Sequence, residues 1–368
     1  TGYIYEPTKE QIRNMLQNLR NNKPVPTNAI QFSGGEPTVR EDLPELIKLA
    51  KSLGFDHVEV NTNGIAIFNK GPLYIEKLVE AGMDTLYLQF DGFGEEIYKK
   101  TRGVDLTEKK LKIIEYCRKV GFKSVVLVVT LVNDVNTHQV GKIIRYAAEN
   151  NDVVRCVNFQ PVSITGRMDR RKLKRARVTN SDLIELIEKQ TDGEIKAGDF
   201  YPVPFVVSFA RAMGAIKGKN YPEFTCHPYC GTATFIFVED GKIVPISKYV
   251  NLEKFEESLR GVEKTAKEHK TIAKFKLLWS SIRNVHPKIL SYLFPVLKEG
   301  SYEGLGKFMR KLIMIGSMHF MDPYNFDFER VQRCVIHYAI PDGRIIPFCT
   351  MNTFHRVSVE KKFSKPLR

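Results

Sequence analysis

The fold of the chain is decided by one stretch, AIQFSGGEP at residues 29–37. Four residues with strand character run directly into a glycine-rich turn, and a helical pattern follows at residues 40–53. Two adjacent glycines let a ligand approach the backbone closely, whereas a simple turn between a strand and a helix usually needs one. Exposed backbone carbonyl and amide groups there can bind an amino-acid moiety, and Glu36 can form an ion pair with an ammonium group. The stretch therefore predicts a strand–helix unit whose turn binds a ligand.

The same alternation of strand and helix repeats through the first 165 residues. Strands are predicted at residues 29–32, 57–61, 85–90, 124–131 and 154–160, and helices at residues 8–22, 40–53, 74–81, 106–120 and 138–150. Continuous apolar strands between helices indicate a parallel sheet buried on both faces. An open, doubly wound sheet and a barrel both satisfy this α/β pattern. Polar residues and glycines cluster after the strands, at the edge where such folds bind ligands.

Composition excludes several classes of protein. With 43% hydrophobic and 27% charged residues, the 368-residue chain is typical of a globular protein rather than a disordered or fibrous one. No run of 18 apolar residues occurs, so no transmembrane helix is expected. Six cysteines do not make a secreted disulfide framework. The net charge of +14 favours anionic partners and a thermophilic lysine–glutamate enrichment about equally.

Several motifs recur in a fixed order, and together they are highly specific. They are Ser33-Gly34-Gly35-Glu36-Pro37, Asn61-Thr62-Asn63-Gly64, Gln89-Phe90-Asp91-Gly92, Thr101-Arg102-Gly103, and Thr130-Leu131 with Asn136. This order and spacing resemble the radical S-adenosylmethionine (SAM) superfamily, near its molybdenum-cofactor and peptide-maturase branches. The resemblance implies a partial (βα)6 TIM-like barrel over residues 1–166 and a C-terminal auxiliary iron–sulfur and lipid-binding region over residues 167–368.

The resemblance also implies the residues that bind SAM. The set is Gly34, Gly35, Glu36, Pro37, Asn61, Asn63, Gln89, Arg102, Pro161 and Val162. The two glycines and Glu36 would meet the methionine amino group, and Arg102 would pair with the carboxylate through a charge-assisted contact. Gln89 would contact the ribose or the carboxylate, and Pro161 and Val162 would flank the adenine. The two asparagines would face the substrate or the cofactor.

One departure from the family pattern is large. The Cys-x3-Cys-x2-Cys loop that binds the SAM-cleaving 4Fe–4S cluster does not occur, and no cysteine precedes Cys117. The first barrel strand is missing as well. We expect both to lie upstream of residue 1, within about 30 residues, since one strand–helix unit is roughly that long. A family member without the cluster is the alternative.

The remaining cysteines form a second constellation. Four of them lie near proline and glycine turns: Cys226, Cys230, Cys334 and Cys349. Sets of four thiolates ligate iron–sulfur clusters, and residues 334–349 resemble the hairpin of auxiliary-cluster domains. At least one auxiliary 4Fe–4S cluster is therefore predicted, with zinc as the competing metal. Cys117 and Cys156 lie in an apolar helix and a core strand, where a structural role is expected.

Two further segments bear on the substrate. Residues 167–177 carry seven lysines and arginines, which predict either an anion-binding entrance or a solvated face. Residues 251–320 are predicted to be helical, and the apolar stretch 272–320 within them is rich in large side chains interspersed with basic ones. That stretch predicts core helices, an apolar groove for a long aliphatic substrate, or helices lying on a membrane surface.

The whole chain resembles the archaeal tetraether lipid synthases within this superfamily. The resemblance rests on GYIYEPT at residues 2–8, CHPYCG at 226–231, GKIVPI at 241–246, and residues 337–349. It implies an enzyme that couples isoprenoid chains of archaeal diether lipids into tetraether or macrocyclic lipids by forming carbon–carbon bonds. A 5′-deoxyadenosyl radical would abstract hydrogen from a terminal methyl group, because a general base cannot remove such a hydrogen.

Partners and rival functions follow from the same resemblance. An archaeal diether phospholipid is expected as substrate and a ferredoxin or flavodoxin as electron donor, in the cytoplasm with peripheral membrane contact and without nucleic acid. The main rival is a radical SAM methylase acting on a pterin or similar heterocycle, which predicts a flat polar pocket and a second, methyl-donating SAM. A peptide maturase and a non-enzymatic iron–sulfur carrier are further rivals, although a carrier does not need the methionine-side motifs.

Overall fold

The computed structural model describes residues 3–165, 173–290 and 312–366. Its strands are β1 (Tyr3–Ile4), β2 (Ala29–Phe32), β3 (His57–Thr62), β4 (Thr85–Gln89), β5 (Val125–Leu131), β6 (Val154–Pro161), β7 (Tyr201–Pro202), β8 (Gly231–Glu239), β9 (Lys242–Pro245), β10 (Ile313–Met318), β11 (His337–Ala339), β12 (Ile345–Pro347) and β13 (Lys365–Pro366). Its α-helices are α1 (Lys9–Arg20), α2 (Leu43–Ser52), α3 (Ile65–Lys70), α4 (Pro72–Glu80), α5 (Glu95–Arg102), α6 (Thr107–Lys119), α7 (Val140–Glu149), α8 (Leu173–Ala176), α9 (Asn180–Gln190), α10 (Val207–Lys217), α11 (Leu252–Glu268), α12 (Lys270–Asn284), α13 (Phe328–Gln332), α14 (Phe348–Thr350) and α15 (Arg356–Phe363).

Two compact units divide the described part of the chain. The first draws on Thr1–Thr137, Gln160–Val178 and His319–Arg368, and the second on His138–Phe159 and Thr179–Met318. The domain boundary predicted at residue 166 falls at the start of residues 166–172, which lie outside the described residues. That boundary stays a prediction.

A parallel sheet in the first unit positions the motifs. Its strands run in the order β2-β3-β4-β5, with Phe32 opposite Val60, Thr62 opposite Leu88, and Gln89 opposite Val128. Neighbouring parallel strands end at one edge of the sheet, so the residues that follow β2, β3 and β4 are brought together there. The predicted α/β fold with a mostly parallel sheet is confirmed, whereas closure into a barrel and an auxiliary C-terminal domain stay predictions.

The helices of the first unit follow the predicted pattern, and the largest shift is at the start of α2. α1 begins after Thr8, whose hydroxyl accepts a hydrogen bond from the Gln11 amide in a capping box. α2 begins three residues later than predicted, because Arg40 has an extended backbone and forms a two-bond ion pair with Asp42. α3 and α5 are helices that the periodicity did not predict, since each is shorter than three turns.

The second unit corrects one prediction. Residues 251–320 were expected to be helical throughout, and α11 and α12 confirm this for the first part of the segment. Ile313–Met318, however, is strand β10, which pairs in parallel with β6 and antiparallel with β8. Partners on both edges and burial of Ile313 and Ile315 to 1% and 0% exposure explain its continuous apolar composition. Residues 291–311 lie outside the described residues.

Part of the basic segment at residues 167–177 is described. Residues 166–172 lie outside the described residues, and the predicted entrance role stays a prediction. Arg177 donates to both carboxylate oxygens of Asp322, at 3.1 and 2.9 Å, and Asp322 is fully buried. At least this arginine therefore has a structural role within the first unit.

None of the helices that the structure describes is both long and apolar enough to cross a membrane.

Gly64 provides a test of the packing beneath the β3–α3 turn. Its φ is +76°, and an added Cβ would lie 2.5 Å from Ile113 Cδ1 and 2.9 Å from Leu88 Cδ1. We expect Gly64→Ala to lower the free energy of unfolding by about 2–4 kcal/mol, through backbone strain plus overpacking. Urea titration monitored by circular dichroism measures this.

The matched control is Gly121→Ala. Gly121 has φ +70° with no atom within 4 Å of an added Cβ, so only the backbone strain of about 1 kcal/mol should appear. Equal losses in the two variants would show that the close packing under the turn contributes nothing.

Candidate active site

A cavity of about 450 Å³ lies at the carboxyl ends of β2, β3 and β4. Its lining residues are Ser33, Gly34, Gly35, Glu36, Asn61, Thr62, Asn63, Ile65, Gln89, Arg102, Val104 and Leu106. Seven of the ten residues predicted to bind the cofactor are among them. Sites of this size hold small molecules and cofactors.

Three predicted residues are not part of this lining. Pro37 begins the 3-10 turn Pro37–Val39, directly after the lining residue Glu36. Pro161 is the last residue of β6, and the amide of Val162 donates to the Leu131 carbonyl at 2.9 Å. Pro161 and Val162 are both buried, and their predicted place beside an adenine stays a prediction.

The two glycines leave open space beside the backbone. An added Cβ at Gly34 or Gly35 would meet no atom within 4 Å. Gly34 also has a φ of +143°, which L-residues with a side chain rarely adopt. The turn is therefore shaped so that a ligand can contact its peptide groups directly.

Glu36 ties this turn to the end of β3. Its Oε1 accepts hydrogen bonds from the Thr38 amide at 3.0 Å, the Thr38 hydroxyl at 2.5 Å and the Thr62 hydroxyl at 2.7 Å. Its Oε2 accepts from the Asn63 amide at 2.7 Å. Each carboxylate oxygen offers about two acceptor sites, so Oε1, with three donors, is fully used, and Oε2, with one donor, keeps room for one more.

Arg102 is held by a buried carboxylate. Asp91 is fully buried and accepts from Arg102 Nε at 2.6 Å and Nη2 at 3.1 Å. Nη2 also donates to the Thr130 hydroxyl at 3.1 Å. With its amide oriented by this network, Gln89 accepts from Nη1 at 2.7 Å and Nη2 at 2.6 Å. The guanidinium is thus fixed in one orientation at the cavity wall.

Asn136 holds the peptide groups around this ion pair. It is fully buried, and its side-chain amide donates to the Asp91 and Thr130 carbonyls at 2.8 Å each. Its side-chain oxygen accepts from the Val132 amide at 2.8 Å. The motif that combines Thr130-Leu131 with Asn136 therefore has a structural reason.

Lys110 is a buried cation behind the cavity. Only 1% of it is exposed, and its ammonium donates to the Asn63 carbonyl. The pKa of Lys110 is lowered to about 8, mainly by burial and also by the nearby Arg102, while Asp91 and Glu36 act in the opposite direction. The turn that follows β3 is therefore held from one side by Glu36 and from the other by Lys110.

Sequence reasoning missed three of these groups as site residues. Thr62 and Asp91 stand inside the quoted motifs, and their position directly after apolar strands was the available signal. Lys110 lies inside the amphipathic pattern of α6 with no distinguishing signal, because lysine is almost never buried.

The four cysteines predicted to hold a metal fall in different units. Cys226 and Cys230 belong to the second unit, and Cys334 and Cys349 to the first. No group of three or more His, Cys, Asp or Glu side chains that could hold a metal occurs within residues 3–165, 173–290 and 312–366. A shared cluster for all four cysteines stays a prediction.

Within the first unit, two of these thiols form hydrogen bonds with the backbone. The Met321 amide donates to Cys349 Sγ at 3.2 Å, and Cys334 Sγ donates to the Ile336 carbonyl at 3.0 Å. Cys117, by contrast, is fully buried, and burial raises the pKa of its thiol to about 12. A neutral thiol in apolar surroundings fits the structural role expected for Cys117.

The glycine turn, the fixed guanidinium and the parallel sheet define the class of protein. Residues 1–147 match the family model described as Radical SAM superfamily. The chain belongs to the radical SAM superfamily.

Two relatives and one solved structure show which proteins this chain is similar to. Over 381 aligned residues the chain is 50% identical to the 7,8-dihydro-6-hydroxymethylpterin dimethyltransferase of Methanocaldococcus jannaschii, covering 100% of this chain and 74% of the relative. It is 26% identical to a probable GTP 3′,8-cyclase of Sulfolobus acidocaldarius, over 63% of this chain and 74% of that protein. A domain of the pyruvate-formate lyase-activating enzyme of Bacteroides vulgatus is 18% identical over 45% of this chain and 95% of that domain, with a TM-score of 0.33.

These comparisons correct the function expected from the sequence. The lipid-coupling assignment is wrong, because the relative that matches the chain from end to end is named for methyl transfer to a pterin. The apolar composition of residues 272–320 had supported the lipid assignment. Part of that composition belongs to β10, whose Ile313 and Ile315 are buried in the sheet.

The lowered pKa of Lys110 leads to a prediction of how the free energy of unfolding depends on pH. Its pKa is about 8 in the folded chain and roughly 10.4 when unfolded. Between these values the unfolded state binds more protons, so this residue makes the free energy of unfolding rise with pH. We expect the stability of the wild type relative to Lys110→Met to increase across this window in urea titrations.

Lys112→Met is the control for this series. Lys112 lies two residues away on the same helix, and the carboxylate of Glu115 raises its pKa instead. The free energy of unfolding of Lys112→Met should therefore change with pH in the same way as that of the wild type from about pH 7 to 10. A constant difference between wild type and Lys110→Met would contradict the burial of this ammonium.

Proposed function

We propose that the chain is a radical SAM methyltransferase that acts on 7,8-dihydro-6-hydroxymethylpterin. The observation that carries the proposal is the 50% identity to an enzyme of that name across the whole chain. The polar cavity at the sheet edge supports it, because a flat heterocycle and the amino-acid end of SAM both need hydrogen-bonding partners. A ferredoxin or flavodoxin is proposed as the electron donor.

The residues of the cavity fit SAM. The open backbone of Gly34 and Gly35 and the free acceptor site on Glu36 would take the ammonium of the methionine moiety. The oriented guanidinium of Arg102 would take its carboxylate, and Gln89 would contact the ribose. We propose Pro37, Asn61 and Asn63 as further contacts, and Pro161 and Val162 beside the adenine.

When bound, SAM and a reduced 4Fe–4S cluster would supply the radical chemistry that removes hydrogen from an unactivated carbon. The described side chains bind and orient. Glu36 holds the glycine turn against β3, and Asp91 fixes Arg102, so neither group has to reorganise when the ligand enters. The low exposure of Asp91 and Lys110, 0% and 1%, keeps these charges away from water and strengthens their effect on the cavity.

An auxiliary cluster is part of the proposal. We propose that Cys226, Cys230, Cys334 and Cys349 are ligands of an iron–sulfur cluster, because each pair of these cysteines lies beside a turn and thiolates in sets of four ligate such clusters. Zinc is the alternative metal for the same donor set.

The test of Arg102 is its replacement by lysine. Arg102→Lys keeps the charge but loses the planar fork, so the affinity for SAM should fall by about tenfold or more. Equilibrium dialysis of labelled SAM against anaerobic full-length protein measures this. Arg40→Lys is the matched control, because Arg40 forms the same two-bond ion pair with Asp42 and is not among the cavity residues. Equal losses would contradict a role of Arg102 in binding.

The test of the auxiliary cluster is Cys349→Ala in the full-length protein. Iron content should fall by about the share of one four-iron cluster, while SAM binding stays close to wild type. Cys117→Ala, a buried thiol in α6, should leave iron content unchanged. Unchanged iron in Cys349→Ala, or zinc in place of the lost iron, would contradict the assignment.

The test of the reaction is an anaerobic assay with reductant, SAM and the dihydropterin. Mass spectrometry should show a pterin product that carries additional methyl groups. It should also show 5′-deoxyadenosine. An archaeal diether lipid supplied instead should give no coupled product. Formation of 5′-deoxyadenosine without any methylated pterin would show that the superfamily chemistry is right and the substrate wrong.

A further inference from the structure

Among the residues that the structure describes, helix α12 (Lys270–Asn284) of the second unit packs through one face. Ala273 and Leu277 are buried in a cluster with Leu259, Val262 and Ala266 of α11 and Ala212 of α10. Ser280 and Ser281, on the same side, are also buried. This packing fixes the helix and leaves its opposite face toward solvent.

That opposite face is apolar. Five large side chains are exposed there: Ile272 (56%), Phe275 (69%), Leu278 (40%), Trp279 (68%) and Ile282 (55%). At 100° per residue they fall within a sector of roughly 120°, directly away from the packed face. Single exposed apolar residues are ordinary, but a continuous stripe on one helix marks an interaction surface.

The borders of the stripe are basic. On the helical projection Lys274 lies along one edge, and Lys276 and Arg283 lie along the other, all three exposed. Together with Lys270, these residues give α12 four basic side chains, and the helix contains no Asp or Glu. An apolar stripe with tryptophan and phenylalanine between rows of cations is the pattern of a helix that lies in the plane of a membrane surface.

We propose that α12 docks on an anionic lipid bilayer, with the apolar stripe among the acyl chains and the flanking cations on the lipid phosphates. The lipid surface is favoured over a second copy of the chain by charge. A two-fold contact of α12 with itself would bring Lys274 and Arg283 of both copies together, with no acidic residue on the helix to neutralise them. The net charge of +14 acts in the same direction for an anionic surface.

Trp279 reports this contact directly, because it is the single tryptophan of the chain. The probe is vesicles of equal parts phosphatidylglycerol and phosphatidylcholine, compared with pure phosphatidylcholine. We expect a blue shift of the tryptophan emission and co-sedimentation of the protein with the anionic vesicles only, both weakened by salt. No shift and no co-sedimentation would overturn the proposal.

Two pairs of variants separate the apolar and charged contributions. The double variant Phe275→Ser with Ile282→Ser keeps Trp279 as the reporter and should weaken vesicle binding by at least about tenfold. Its control is Leu73→Ser with Phe328→Ser, which removes two side chains that are 74% and 75% exposed in the first unit. The control should leave vesicle binding unchanged. Lys274→Glu with Arg283→Glu should also weaken binding by at least about tenfold, and Lys48→Glu on α2 is its control. Equal effects of test and control variants would overturn the docking of α12.

Self-association is the competing outcome and has its own signature. If the stripe binds a second copy, the blue shift appears without vesicles as protein concentration rises, and sedimentation velocity shows a dimer. That result would overturn the lipid assignment. Both measurements are independent of methyl transfer, so they stand whether or not the proposed reaction is correct.

Discussion

The candidate site depends on one carboxylate. Glu36 accepts four hydrogen bonds from Thr38, Thr62 and Asn63, and these donors lie in the segment that follows β2 and at the end of β3. Hydrogen bonds to a charged acceptor contribute about 1.5–3 kcal/mol each, which is enough to fix two glycine-containing turns that have little conformational preference of their own. The glycines provide the open backbone, and Glu36 determines where that backbone stands.

A second layer of charge supports this arrangement. Asp91 and Lys110 are almost fully buried, and each is compensated by a neighbour: Arg102 for Asp91, and the Asn63 carbonyl for Lys110. Burying such groups without partners would cost several kcal/mol. Because Asp91 follows β4 while Arg102 and Lys110 belong to α5 and α6, the network forms only when these elements are packed, and the cavity wall is then already oriented.

The sequence was informative where local rules apply and misleading where they do not. Strand positions and glycine turns were predictable, because a buried parallel strand and a left-handed residue such as Gly64 each leave a local signature. Lys110 left none, since a lysine in an amphipathic helix is normally solvated. β10 was mistaken for helix because a strand buried on both faces and a buried helix have the same apolar composition.

The same ambiguity explains why apolar content was a poor guide to substrate. Ile315 is fully buried in a sheet, while Trp279, from the same apolar segment, is 68% exposed, so composition alone could not tell core from surface. The cavity gives the firmer argument. Its wall carries the carboxylate of Glu36, the guanidinium of Arg102 and three side-chain amides. An alkyl chain placed there would remove water from these groups without replacing their hydrogen bonds, whereas an amino acid or a flat heterocycle replaces them. The polarity of the wall therefore favours a polar ligand over a hydrocarbon chain in this cavity.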